Sequence, residues 1–338
     1  LAKCAKGFVI GCVNEIRMEV IVLNFRTPEV TIDCLDTLAE EWKRWPGFHV
    51  VLIDNASGDE SVPKITKAIE EAGDWDAWLE FRPFEKNLGF AGGNNVVMRE
   101  CIERADPPAY VLLLNSDTLV KPNCLETSVK VMDADPKIGA MSCMLLNGDE
   151  TVQNVCRKFP RPDREAFRAM GLPWLLPKLF EWADLDDLSW DRRAGPRDVE
   201  WIGGAFLLAR TEALAKAGVF DEDFFFYGED TELCFRLWKS GYRVHFDPSS
   251  ETVHLGGASS NSKKMRNRTK EILTWRARFG VQKKCYGSWA SFLSRAVYAC
   301  VFLGRWGLSI IRGGKKKNPE FTEEMWEGFR QVTGPLEP

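Results

Sequence analysis

Histidine is scarce in this chain, with three residues in 338, and none of the ten cysteines forms a C-x-x-C pair. Structural zinc sites need Cys and His clustered at short spacings, so that class is excluded. The cysteines are scattered (Cys4, Cys12, Cys34, Cys101, Cys124, Cys143, Cys156, Cys234, Cys285, Cys300), several in apolar or helical context. A free thiol there behaves as a small hydrophobe, which indicates a reduced, cytoplasmic protein. A basic excess is missing as well: 45 Lys and Arg face 49 Asp and Glu, for a formal charge of −4. That balance argues against nucleic acid as the main partner. The opening "LAKCAKGFVIGCVNEIR" carries two lysines and an apolar run too short for a span, without an A-x-A cleavage pattern. Residues 1–17 are read as an upstream extension or a non-native lead, outside the fold.

The length allows one large domain, or one with a smaller appendage. From Met18 the pattern alternates. "EVIVLNF", "HVVLIDN" (49–55), "AWLEFRP" (77–83) and "YVLLLN" (110–115) read as strands, with helices over 29–45, 60–72 and 91–105. Continuous apolar runs separated by periodic helices predict a parallel sheet wrapped by helices, an α/β doubly wound half-domain. Ligands of such sheets bind beyond the carboxyl ends of the strands.

Those ends carry polar groups: Asn24, then Asp54 and Asn55, then Asn87, then Asn115, Ser116 and Asp117. Asp and Asn are also favoured helix caps, so each alone has an ordinary reading. Four converging on one rim beside a glycine loop do not. That loop, "NLGFAGGNN" (87–95), lacks the G-x-G-x-x-G fingerprint after the first strand, yet its Gly89, Gly92 and Asn94 are expected to let backbone approach a negative ligand. In "FDEDFFFYGEDTELCFRLWKSGYRVHFDP" (220–248), a helix from Thr231 would place Glu229 and Asp230 at its N-terminus. They suit either a cap or a general base walled by aromatics. "TVHLGG" supplies His254, a structural residue or a metal ligand beside Asp117.

Taken together, "VIVLNF", "IDNASGDES", "NLGFAGGNN", "LLLNSD", "WIGGAFLLART", "FDEDFFFYGEDTELCFRLWKSGYRV" and "VHLGG" resemble family 2 glycosyltransferases of the GT-A fold, in the rhamnosyltransferase-like branch. The resemblance covers roughly 18–258. It implies a Rossmann-like nucleotide-diphospho-sugar fold, a divalent cation (Mg²⁺ or Mn²⁺), and inverting transfer of a sugar from a nucleotide sugar, best dTDP-rhamnose, to a hydroxyl of a cell-surface polysaccharide or lipid-linked glycan. By the same resemblance Asp54 with Asn24 would meet the base or ribose, and the 87–94 loop would line the donor pocket. "NSD" stands for the D-x-D motif with Asn115 at its first position. Asp117 would hold the metal, His254 a further metal or diphosphate contact, and Asp230 would be the base.

The segment 152–200, broken by Pro and Gly and carrying Trp174, Trp182 and Trp190, reads as an acceptor-side wall or a surface excursion packed by its own aromatics. Beyond 258 the composition turns basic and helical, with Lys263, Lys264, Arg266 and Arg268 close to the proposed diphosphate site, although a solvated face is the default reading of such a run. "SWASFLSRAVYACVFLGRWGLSII" (288–311) repeats apolar residues at helical spacing, but Arg295 and Arg305 keep it from spanning. With "RGGKKK" after it, 288–317 reads as a peripheral contact at the inner face of the plasma membrane, with packing on the catalytic domain or a second subunit as alternatives. A nucleotidyltransferase is disfavoured because "LNFRTPE" lacks glycine after the first strand. A non-catalytic glycan-binding relative is opposed by the intact Asp117 and Asp230.

Overall fold

The computed structural model describes residues 17–186, 195–224, 227–256, 267–311 and 319–334, with side chains at 267–273 and 319–320 left out. Strands β1 (Met18–Asn24), β2 (Phe48–Asp54), β3 (Leu79–Pro83) and β4 (Tyr110–Asn115) are parallel, in the spatial order β3-β2-β1-β4. The β1, β2 and β4 cores are buried on both faces, as their unbroken apolar runs require. Four more strands extend the sheet: β5 (Thr118–Val120), β6 (Ile138–Leu146), β8 (Phe206–Arg210) and β9 (Arg243–His254), with the short β7 (Arg197–Asp198) paired to β9. The order continues β4-β8-β6-β9-β5, and β8 runs antiparallel to β4 and β6.

Register brings the polar groups together. Asn24 pairs with Asp54 across β1 and β2, and Leu23 with Asn115 across β1 and β4, so three strands end level on one edge. Because β8 is antiparallel, its start meets the end of β4, with Leu114 opposite Phe206. His254 closes β9 opposite Thr118 of β5.

Helices α1 (Pro28–Arg44), α2 (Ser61–Ala72), α3 (Gly89–Glu103) and α4 (Cys124–Ala134) follow the first strands, and the 152–186 stretch folds as α5 (Pro162–Ala169) and the single turns α6 (Leu172–Leu175) and α7 (Pro177–Phe180). Next come α8 (Thr211–Ala217) and α9 (Glu229–Lys239), then α10 (Asn267–Tyr286), α11 (Ser288–Ile311) and α12 (Pro319–Thr333). The sheet and its helices share one apolar core. A second, smaller core of Ala169, Phe279, Tyr298, Phe302, Met325 and Val332 joins α5 to the C-terminal helices. There the Tyr298 hydroxyl donates to buried Glu165 at 2.5 Å. The eight described cysteines are free, six of them buried.

Two expectations need correction. The strand expected over 77–83 begins at Leu79, because Trp75–Ala77 form a 3₁₀ turn in which Trp75 and Trp78 pack ring to ring. The helix expected over 91–105 starts two residues earlier, at Gly89, whose φ of 72° is one that glycine adopts freely. The wall or excursion of 152–200 packs through Phe167 on Phe180 and Trp182, and Trp190 lies outside the described residues.

Candidate functional site

Asn24 and Asp54 touch, but they face inward. The Asp54 carboxylate accepts from Asn24 Nδ2 at 2.7 Å, from the Ser57 hydroxyl at 2.7 Å and from the Ser57 N–H at 3.0 Å. Asn24 Oδ1 in turn accepts from the Thr31 hydroxyl at 2.9 Å. Both side chains are buried, and their polar atoms are satisfied within the turn, as burial demands. With those bonds they shape a turn whose outer surface belongs to Phe25, Arg26 and Gly58. Arg26 has a φ of 60°, donates its N–H to the Ser57 hydroxyl at 2.9 Å and its Nε to the Ser57 carbonyl at 2.9 Å. A non-glycine residue in that conformation at a binding edge is a residue that sequence reading missed.

Asn55 reaches across to the glycine segment. Its Nδ2 donates to Asn87 Oδ1 at 3.1 Å and to the Gly89 carbonyl at 3.0 Å, and its Oδ1 accepts the Leu88 N–H at 2.9 Å. Gly92 and Asn94 lie inside α3 and are buried, Asn94 donating to the Phe90 carbonyl at 2.8 Å. The lining loop expected over 87–94 is thus shorter, and only Asn87 to Phe90 keep an outward face.

At the end of β4 the polar residues face one another. His254 Nε2 lies 3.2 Å from Asp117 Oδ1 and 3.3 Å from Asn115 Nδ2. The backbone supports this from both sides, since the Leu255 N–H donates to the Asp117 carbonyl at 2.9 Å and β5 pairs with β9. Ser116 is buried with an unpartnered hydroxyl. Gln153, from the loop after β6, accepts from His254 Nδ1 at 2.9 Å, and nothing in its sequence setting signals this.

The donor set fits a divalent cation. Adjacent ligands of an octahedral ion with bonds of about 2.1 Å lie about 3.0 Å apart, close to the Asp117–His254 separation. Among the described residues no third His, Cys, Asp or Glu joins them. One carboxylate and one imidazole leave the remaining positions to oxygens of a diphosphate and to water, which is how Mg²⁺-type ions bind phosphates.

The acid-aromatic run arrives through the start of β8. The Asn115 N–H donates to the Ala205 carbonyl at 3.1 Å, and the next residue back, Gly204, donates its N–H to Asp230 Oδ2 at 3.3 Å. A side-chain carbon at Gly204 would press on the Phe90 ring at 3.3 Å, so glycine lets α3, β8 and α9 meet. Asp230 is half-buried, and its other oxygen accepts the Thr231 N–H at 2.6 Å within the first turn of α9. Burial pushes its carboxyl up, opposed by the Thr231 and Gly204 N–H groups. Glu229 is buried with Oε2 unpartnered, and burial, then the Asp230 charge, pushes its carboxyl up to about 8. Glu229 is buried behind Asp230 at the start of the helix, and it feels the Asp230 charge through space. Lys263, Lys264, Arg266 and the Arg268 side chain, expected near the diphosphate, lie outside the described residues.

Comparison with known proteins agrees on this architecture. The model of "Glycosyl transferase family 2" matches residues 19–180, and that of "Glycosyl transferase family group 2" matches 180–311. The chain is 27% identical over 179 residues to the rhamnosyltransferase WbbL of Escherichia coli, covering 52% of this chain and 63% of that one. It is 26% identical over 211 residues to an N-acetylglucosaminyl-diphospho-decaprenol L-rhamnosyltransferase of Mycobacterium tuberculosis, covering 61% and 66%. The chain thus spans somewhat less than two thirds of the length of these relatives. Among solved structures, a mannosyltransferase of Pyrobaculum calidifontis, in complex with GDP-Man and Mn²⁺, shares the fold with a TM-score of 0.57 at 17% identity, covering 95% of this chain and 87% of that one. TarS 1–349 of S. aureus does so with a TM-score of 0.50 at 14% identity, covering 94% and 80%.

Proposed function

The chain belongs to glycosyltransferase family 2, and from that premise we propose that it transfers a sugar, with inversion, from a nucleotide sugar to a hydroxyl of a glycan or lipid-linked glycan precursor. The observation that carries the reading is the continuity from Asp117 and His254, through Asn115 and Ala205, to Gly204 and Asp230. On this reading the end that meets the diphosphate and the carboxylate base share one hydrogen-bonded edge.

Asp117 and His254 would hold a divalent cation, Mg²⁺ or Mn²⁺. When bound, the cation supplies Lewis-acid stabilisation of the charge that develops on the departing nucleoside diphosphate. Asp230 takes the proton of the acceptor hydroxyl as its oxygen bonds to the anomeric carbon, while the bond from that carbon to the diphosphate oxygen breaks. Such base catalysis contributes about 10²–10⁴-fold. The Gly204 N–H and the start of α9 keep Asp230 aimed and hydrogen-bonded. Asn24, Asp54 and Ser57 hold the turn over which the nucleotide lies, and Asn55 locks Asn87 to Gly89 beside it.

For the donor we favour dTDP-rhamnose, supported by the two rhamnosyltransferase relatives; another hexosyl or N-acetylhexosaminyl donor is the alternative. The reading is tested by nucleotide release from a panel of nucleotide sugars with Mn²⁺, Mg²⁺ or EDTA, for wild type and Asp117→Ala. Slow metal-dependent release from one donor, lost in the variant, is expected. Folded protein that binds none of them overturns the reading.

A further inference from the structure

The 152–186 stretch holds four arginines, and three of them have a carboxylate of their own. Arg157 pairs with Asp186 at 2.6 Å, Arg161 with Asp163 at 2.7 Å and Arg164 with Glu200 at 2.6 Å. Arg168, in the last turn of α5, has none among the described residues, and its buried Nη1 lacks a hydrogen-bond acceptor. Across the seam between α5 and α10, Arg278 meets Oε1 of buried Glu165 only at 4.0 Å, through its Nε. That oxygen is itself without a hydrogen bond, while Oε2 accepts from the Tyr298 hydroxyl of α11. Burial holds the Arg278 guanidinium below its usual range; Glu165 raises it and Arg168 lowers it, so the two cations feel one another. Arg305, exposed on α11, has its Nη2 3.6 Å from where a side-chain carbon at Gly171 would sit. The Gly171 N–H in turn donates to the Arg168 carbonyl at 2.9 Å. At this seam three guanidinium groups thus face one carboxylate among the described residues. Buried donors and like charges left in this way are costly unless an anion completes them.

The seam lies off the end of α9 that carries Asp230. Val281 of α10 packs against Gly228, 3.1 Å from where a side-chain carbon there would sit, and Tyr286 packs edge-on against Phe235. The two helices therefore run side by side in the same direction. Arg278, about one turn before Val281, stands beyond the first residues of α9. A second path joins the same places: Asp186, whose charge acts on Arg278, pairs with Arg157, and Arg157 favours the ionised form of Asp230. We propose that Arg168, Arg278 and Arg305 form an anion subsite at the seam of α5, α10 and α11 that takes a diphosphate ester carried by the acceptor. The surplus of two positive charges matches the two negative charges of a diphosphate esterified at both ends, and guanidinium forks suit phosphate oxygens. The donor diphosphate is assigned to Asp117 and His254, at the opposite end of the edge that runs to Asp230, so the seam serves a second anion. The acceptor role rests on the transferase reading: the seam holds the diphosphate while a hydroxyl of the attached sugar meets Asp230.

The test is calorimetric titration of the full chain, in EDTA, with inorganic pyrophosphate and with dibutyl diphosphate, one butyl group on each phosphorus. The ester is expected to bind, and Arg168→Gln and Arg278→Gln are each expected to weaken it by about tenfold or more. Glu165→Gln keeps an acceptor for the Tyr298 hydroxyl and removes the competing charge, so it is expected to tighten binding. Arginines with a purely structural role would give no such gain. Asp117→Ala is expected to leave the affinity unchanged. Circular dichroism melting establishes that each variant is folded, and nucleotide-sugar binding with Mn²⁺ is measured alongside. Ester binding without nucleotide-sugar binding would sink the transferase reading and leave the subsite, whereas nucleotide-sugar binding without ester binding would do the reverse. The proposal is also overturned by folded arginine variants that bind like wild type, by a folded Glu165→Gln that binds no more tightly, or by loss of binding in Asp117→Ala. A seam that takes pyrophosphate and rejects the ester would mark a free-anion site and overturn the acceptor role.

Discussion

Gln153 grips His254 from two sides: its Nε2 donates to the His254 carbonyl at 2.5 Å while its Oε1 accepts from the ring Nδ1 at 2.9 Å. Because the carbonyl can only accept, the amide is oriented, and its oxygen makes Nδ1 the protonated nitrogen. In the neutral ring, Nε2 is then the nitrogen that offers a lone pair, on the side facing Asp117. A metal-binding imidazole needs that tautomer, and outer hydrogen bonds of this kind tune metal affinity by about 10–100-fold. Gln153→Ala is therefore expected to raise the Mn²⁺ concentration needed for half-maximal donor binding by about 10–100-fold, with donor affinity near wild type at saturating metal. Titration of donor binding against Mn²⁺ checks this. An unchanged metal requirement would show that His254 is oriented without Gln153 or does not hold the ion.

Asp117 is the one carboxylate beside His254 among the described residues, and it is buried. Replacing it by Asn keeps the shape and removes the charge. Asp117→Asn is expected to make donor affinity insensitive to EDTA and to cut turnover by about 10³-fold, in the range seen when a charge-stabilising group is lost. Calorimetry of nucleotide-sugar binding with and without metal reads the first effect directly.

The parallel part of the sheet, β1 to β4, was legible, because β1, β2 and β4 are buried on both faces and so read as unbroken apolar runs. The rim was legible in outline, since parallel strands must end on one side. Which rim residues face outward was not. Asp54 and Asn24 look like ligands in sequence, yet a short turn closes over them through Ser57, and turn chemistry of that kind needs coordinates. Gly92 and Asn94 fall within the helix expected over 91–105, and only the structure shows that they are buried there. Gln153 was invisible: it is one polar residue in a loop, and its partner lies 101 positions away.

Asp230 carries the proton transfer in the proposed mechanism, and its ordinary value of 3.8 is raised by burial. A base works only when ionised, so turnover falls as pH drops through the raised value, and the acid limb of the rate profile should lie above 3.8. Asp230→Asn is expected to lower kcat by about 10²–10⁴-fold, with donor affinity kept. Its residual rate should lose the acid limb. A variant with a wild-type pH profile would point to another group as the base.

Glu229 offers a test of the same neighbourhood that does not depend on turnover. Its carboxyl is held up at about 8 in the folded chain, against an ordinary value of 4.5, because it is buried beside Asp230. Between those values the folded protein keeps a proton that the unfolded chain has released. Stability therefore declines as pH rises from about 4.5 to about 8 and levels off above it. Glu229→Gln carries no proton to lose, so its stability relative to wild type should be least favourable near about pH 5 and improve up to about pH 8, by an amount on the order of a few kcal/mol. Urea unfolding of both proteins at intervals from about pH 5 to about pH 9 measures that difference. A gap that stays constant across the range would mean that Glu229 is ionised in the folded state throughout it.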